Sequence, residues 1–121
     1  MKTVLVVDDD GSVLSVVKRQ LEGAYRVLTA GDARSAIETI CLENPDLVLL
    51  DLSLPDMSGG FVFRAARHAI PGLQVALVTG AADLDEVQRT LNNGARACLV
   101  KPFSGDELKC FVAGCLEAGP A

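Results

Sequence analysis

Apolar residues in this chain follow two alternating rhythms: short, nearly continuous runs that suit strands, and stripes three or four residues apart that suit helices. Lys2 to Val7 (KTVLVV) is a β-branched run ending at Asp8-Asp9-Asp10, which predicts a buried strand and an acidic turn. Val13, Leu14, Val17 and Leu21 then recur at helical spacing, in a helix that begins near Ser12, with Asp10 to cap it, and ends near Gly23. Tyr25 to Ala30 reads as a second strand, and Ala33, Ala36, Ile37, Ile40 and Cys41 as the apolar stripe of a second helix stopped by Asn44-Pro45. Leu47 to Leu50 form a run too short for a buried helix and too uniformly apolar for a half-exposed strand, hence a central strand covered on both faces. The Leu-Pro and Ser-Gly-Gly steps after it predict loop.

Phe61 to Ile70 predicts a short helix ended by Pro71-Gly72, and Leu73 to Val78 a continuous apolar strand closed by Thr79-Gly80. A fourth helix, capped by Asp83, carries Leu84, Val87 and Leu91 on one face and finishes at Asn93-Gly94. Ala97 to Val100 is the fifth strand, followed by Lys101-Pro102. The last helix runs from about Ser104 to Glu117, with Leu108, Phe111, Val112 and Cys115 as its buried stripe and Ser104 with Glu107 as a capping box. Strands alternating with helices, joined by right-handed crossovers, predict an α/β fold with a parallel sheet covered on both faces.

Composition narrows the classes of function. The 121 residues suit one domain, long enough to bury roughly two-thirds of its unfolded surface. No apolar run approaches the roughly 18 residues of a membrane span, and the N-terminus lacks a signal-peptide layout, so the expectation is a soluble, cytoplasmic protein with no membrane partner. Cys41, Cys98, Cys110 and Cys115 show no C-x-x-C spacing and read as small buried hydrophobes. His68, the single histidine, reads as a solvated helix residue. Sixteen acids against eleven Lys and Arg give a net charge of -5, which argues against nucleic-acid binding by this domain but not against cations.

The candidate chemistry sits where strands end: Asp8 and Asp9 after the first, Asp51 after the third, Thr79 after the fourth and Lys101 after the fifth. In a parallel sheet these positions share one rim, the place where open α/β sheets bind ligands. Like charges about 4 Å apart repel by about 4 kcal/mol at an effective dielectric near 20, so the acids call for positive charge. Lys101 supplies one, and a hard divalent cation such as Mg²⁺, which takes oxygen ligands and keeps several waters, suits the remainder. A carboxylate beside such a cation, with a hydroxyl and an ammonium nearby, is equipped to attack phosphorus and become an acyl phosphate. Gly80 leaves room for the group.

The segments VLVVDDD, PDLVLLDLSLPDMSGG, ALVTGA and NNGARACLVKPF, in this order and spacing, resemble the receiver domain of two-component response regulators, of the chemotaxis-type single-domain form. The resemblance covers essentially the whole chain. It implies a flavodoxin-like, doubly wound five-stranded parallel sheet in the order 2-1-3-4-5 with five helices, residues 1–118 forming the receiver and 119–121 a frayed tail. It further implies that Asp51 is phosphorylated by a histidine kinase or histidine phosphotransfer protein. Mg²⁺ would be held directly by Asp9, Asp51 and the backbone carbonyl of Ser53, and through water by Asp8, with Thr79 and Lys101 on the phosphoryl group. The Lys101-Pro102 bond is cis in such domains. They catalyse their own Mg²⁺-dependent phosphorylation and dephosphorylation and signal to a downstream protein or effector domain.

Two departures from the family pattern matter. The switch couples the Thr to an inward-turning aromatic, and the matching position, three before Lys101, is Cys98, which cannot sweep the volume of a ring. The expectation is therefore output through backbone shifts of the fourth helix and its flanking loop. Ser53 and Ala81 stand where the family tunes attack by water; neither is a carboxylate or carboxamide, so fast self-dephosphorylation is not expected. The face of the fourth helix, fifth strand and fifth helix, where the family docks or dimerises, carries Arg89, Arg96 and Lys109 with Asp85 and Glu107, either as pairs across a homodimer or as an ordinary solvated face.

Taken singly, these residues have bland readings: Asp8 to Asp10 as a helix-capping turn, Asp51 as a loop acid. A metal-dependent phosphatase with an Asp nucleophile usually carries a second Asp two residues on, where Ser53 stands, and a substrate-covering cap. No Gly-rich nucleotide fingerprint follows the first strand. The alternative within the family is a degenerate receiver acting as a phosphorylation-independent protein-binding module; intact Asp9, Asp51, Thr79 and Lys101 oppose it, and Cys98 favours it.

Overall fold

Successive strand residues point to opposite faces, and in this chain both sets are apolar, so the sheet must be covered twice. The computed structural model, which describes residues 1–80 and 84–117, does this with ten alternating elements. They are β1 (Thr3–Val7), α1 (Gly11–Leu21), β2 (Arg26–Ala30), α2 (Ala33–Glu43), β3 (Leu47–Leu50), α3 (Gly59–Ala69), β4 (Val75–Thr79), α4 (Leu84–Asn92), β5 (Cys98–Val100) and α5 (Gly105–Glu117). All strand pairs are parallel, in the order β2-β1-β3-β4-β5. This is the flavodoxin-like doubly wound sheet expected from the sequence.

Leu5, Val7, Val48, Leu50, Val75 and Leu77 face α2, α3 and α4, whereas Val4, Val6, Leu47, Leu49, Ala76 and Val78 face α1 and α5. Because β2 lies on one side of β1 and β3 on the other, the first two crossovers wind away from each other. They leave a crevice over the carboxyl ends of β1 and β3.

Helix ends follow local chemistry. Asp10 caps α1 by accepting from Ser12 N at 2.9 Å, as expected. Ser104 and Glu107 form the expected reciprocal box, Glu107 N to Ser104 Oγ at 3.0 Å and Ser104 N to Glu107 Oε1 at 3.1 Å. Asn44 ends α2 with φ 45°, and Gly94 follows α4 with φ 114°, a left-handed conformation that favours glycine. The Asp83 cap, Ala81 and the 119–121 tail lie outside the described residues.

Several expectations need correction. Helix α3 starts at Gly59 rather than Phe61, because Ser58 caps it through a 3.2 Å bond from Phe61 N; Gly59 and Gly60 are helical and buried, not loop. Cys41 and Cys110 are exposed, Cys98 is half-buried and only Cys115 is buried, since their helical phases place Cys41 and Cys110 on the outer sides of α2 and α5. Leu84 points to solvent, 67% exposed. The buried residue of α4 is instead Thr90, whose hydroxyl is satisfied within the helix by donating to Glu86 O at 2.7 Å. His68 is exposed on α3, as read.

Gly59 lies against the end of the central strand. A Cβ there would collide with Leu52 Cα and sit 2.7 Å from Asp51 O. Gly59→Ala should therefore cost about 2 kcal/mol in urea unfolding. Gly23→Ala, where an added Cβ meets nothing within 4 Å, should change stability by less than about 0.5 kcal/mol.

Candidate functional site

Ladder hydrogen bonds continue one residue past three of the strands and pin the backbone of Asp8, Asp51 and Lys101. Asp8 N donates to Ala30 O at 3.1 Å, Asp51 N to Val7 O at 3.0 Å and Lys101 N to Thr79 O at 3.0 Å. The register is thus carried into the crevice, and the Lys101-Pro102 peptide beyond it is cis.

Asp51 is the hub, and both of its oxygens are engaged. Oδ1 accepts from Thr79 Oγ1 at 3.1 Å and from Ser53 N at 3.0 Å, and Oδ2 accepts from Lys101 Nζ at 3.0 Å. Lys101 Nζ also reaches Asp8 Oδ2 at 2.5 Å, while Asp8 Oδ1 takes the Asp10 N–H at 2.9 Å. Asp8, Asp51 and Thr79 are buried, whereas Asp9 is exposed at the mouth. One oxygen from each of Asp8, Asp9 and Asp51 lies within 4.8 Å of the others. That all-oxygen donor set, with more negative charge than Lys101 neutralises, is the kind that fits a hard divalent cation.

Burial raises the Asp8 pKa, an effect the Lys101 hydrogen bond only partly offsets. Burial alone would lower Lys101, but its hydrogen bonds to Asp8 and Asp51 outweigh that and hold the ammonium above its ordinary range. Cys98 does not join the rim. It pairs in register with Leu77 and packs against the cluster on the α2, α3 and α4 side of the sheet, where burial raises its thiol pKa.

Two carboxylates outside the expected set shape the surroundings. Asp56, in the β3–α3 loop, accepts from Ala33 N at 2.9 Å and Arg34 N at 3.1 Å at the start of α2, and these amides, Ala33 foremost, lower its pKa. Glu86 of α4 accepts from Gly60 N at 3.3 Å, which joins α4 to the start of α3. A Pro-Asp step signals only a turn and a helical Glu only a solvated face, so nothing local in the sequence marked either contact. Beside Lys101, an apolar groove of about 280 Å³ runs between α1 and the β5–α5 connection, lined by Val13, Val16, Pro102 and Phe103 among others.

Comparison with known proteins agrees with this geometry. The family model of the response regulator receiver domain matches residues 4–113. The chain belongs to that family. The receiver is 41% identical over 108 residues to the Mycobacterium tuberculosis protein named Probable transcriptional regulatory protein TcrX, covering 88% of this chain and 46% of that one. It is 33% identical to the regulatory protein LuxO of Vibrio cholerae, covering 88% of this chain and 24% of LuxO. The receiver thus spans less than half the length of these relatives. Among solved structures, it is similar to a CheY-like receiver domain protein from Methanospirillum hungatei, with TM-score 0.93, 34% identity, and 98% and 95% of the two chains covered. Among the described residues, no helix is long and apolar enough to cross a membrane.

The lysine bond to two buried carboxylates carries a stability prediction. Without divalent cations, Lys101→Met should cost about 3 kcal/mol at neutral pH, near the low end for a broken buried pair because 24% of the lysine side chain is exposed. The folded-state pKa of Lys101 lies above the unfolded one, so its contribution is complete below about pH 10.4 and is lost as the pH rises through the folded value. Denaturation of wild type and variant across pH 7 to 11 should show the difference between them closing only at the alkaline end.

Proposed function

We propose that the chain is a functional phosphoacceptor of a two-component system, with Asp51 as the residue that takes the phosphoryl group. The observation that carries this reading is the convergence on Asp51 of Thr79, Lys101 and the Ser53 N–H beside the acidic cluster of Asp8 and Asp9. An ionised carboxylate needs no general base to attack phosphorus. A lone pair of Asp51 forms the new O–P bond while the P–N bond to the donor imidazole of a histidine kinase or histidine phosphotransfer protein breaks, its electron pair remaining on nitrogen. Lys101 and the Thr79 hydroxyl, which hold the carboxylate beforehand, are placed to turn to the phosphoryl oxygens as charge builds there.

Mg²⁺ would be held by Asp9, Asp51 and the Ser53 carbonyl, with Asp8 acting through water, and when bound it neutralises charge on the transferred group. The groove beside Lys101 offers a partner helix an apolar seat next to the acceptor. Residues 1–118 constitute the receiver, which works in the cytoplasm and passes its state to a downstream protein or effector domain. The α4, β5 and α5 face is the docking or homodimer surface.

With Cys98 in the switch position, output runs through the backbone. Glu86 ties α4 to the start of α3, and that helix begins where the phosphoacceptor loop ends. Phosphorylation should accordingly shift the amide resonances of α4 and its flanking loop; unchanged resonances there would refute this route. Ser53→Asn combined with Ala81→Glu should accelerate loss of the phosphoryl group, and an unaltered lifetime would count against the role given to those positions.

The decisive assay is intact mass after incubation with acetyl phosphate. A single phosphoryl adduct should appear with Mg²⁺ and be absent without it and in Asp51→Asn. A folded, Mg²⁺-binding protein that gains no adduct would instead be the phosphorylation-independent binding module.

A further inference from the structure

The loop from Asp51 to Gly59 is anchored at both ends close to the site. Ser53 N donates to Asp51 Oδ1 at 3.0 Å, and Gly59 N donates to Leu52 O at 2.9 Å. Between these anchors the loop is held from outside, by Asp56 on the Ala33 and Arg34 amides of α2. Those amides lie three and four residues beyond Ala30, whose carbonyl receives Asp8 N.

The contacts therefore close a circuit around the mouth. Asp51 hangs on β1 at Val7, Asp8 follows Val7 and hangs on β2 at Ala30, the chain runs on to Ala33, and Asp56 returns it to the loop that bears Ser53. We propose that Asp56 is a positioning residue: by bracing the β3–α3 loop against α2, it sets the distance of the Ser53 carbonyl from Asp9 and Asp51 and so tunes Mg²⁺ affinity. The proposal rests on the metal assignment above.

Asp32 gives an internal control. It caps the same helix, accepting from Ser35 N at 2.7 Å, but it belongs to the β2–α2 turn and has no place in the loop. A residue that only stabilised α2 would behave like Asp32, whereas a brace for the loop would not.

The test is calorimetric titration of Mg²⁺ into wild type, Asp56→Ala, Asp56→Asn and Asp32→Ala, with the Tm of each measured in the absence of Mg²⁺. Removing a partner that orients a metal ligand commonly costs tenfold or more, so the Mg²⁺ Kd of Asp56→Ala should rise roughly tenfold. Asp56→Asn, which keeps one accepting oxygen, should fall between it and wild type. Asp32→Ala should lower Tm while leaving the Kd in place. Mg²⁺ should also shift the Ala33 and Arg34 amide resonances in wild type and leave them unmoved in Asp56→Ala. An unchanged Kd in Asp56→Ala, or an equal weakening in Asp32→Ala, would overturn the role of Asp56 alone. Wild-type protein that takes up no Mg²⁺ would overturn the metal assignment and this proposal together.

Discussion

One ammonium against two buried carboxylates is the contact on which the rim depends. Asp8 and Asp51 are drawn from water by the strands that carry them, and a buried carboxylate without a partner is costly. Lys101 Nζ reaches both, so one side chain from the far edge of the sheet makes the burial of the other two tolerable. The balance is incomplete, because Asp9 adds charge that the lysine does not meet. A receiver at rest is in this sense short of positive charge.

That shortage is stored where the backbone has little freedom. Asp8, Asp51 and Lys101 are each tied by a ladder bond to the neighbouring strand, so the two buried acids cannot move apart to relieve repulsion without unzipping the sheet. Above the rim lie the loop from Leu52 to Ser58, braced by Asp56, and α4, which touches the start of α3 through Glu86. A change in charge at Asp51 is thus met first by side chains that can turn, Thr79 and Lys101, and next by the loop and helix that Asp56 and Glu86 join to their neighbours.

Most of the fold was legible in the sequence because each strand is bounded by an abrupt change of polarity. Leu47 to Leu50, followed at once by Asp51, declares both a buried strand and its end. The rim was legible for the same reason. What eluded the sequence was rotational phase and long-range partnership. Cys41, Leu84 and Cys110 are apolar and close to a stripe, yet they project outward, and half a residue of phase is beyond what periodicity resolves. Ser-Gly-Gly reads as loop by composition, whereas the Ser58 cap and the close packing on Leu52 make both glycines helical. Asp56 and Glu86 act on amides 22 or more residues away in the chain, and no local pattern announces such a pairing.

The alternation of the strands has a consequence for how this molecule can diverge. Odd and even positions of β1 belong to separate hydrophobic clusters, one under α2, α3 and α4 and the other under α1 and α5. A substitution that repacks Leu5 or Val7 is felt by one set of helices, and one at Val4 or Val6 by the other. The two outer surfaces can therefore drift under different selective pressures while the rim they share stays constant.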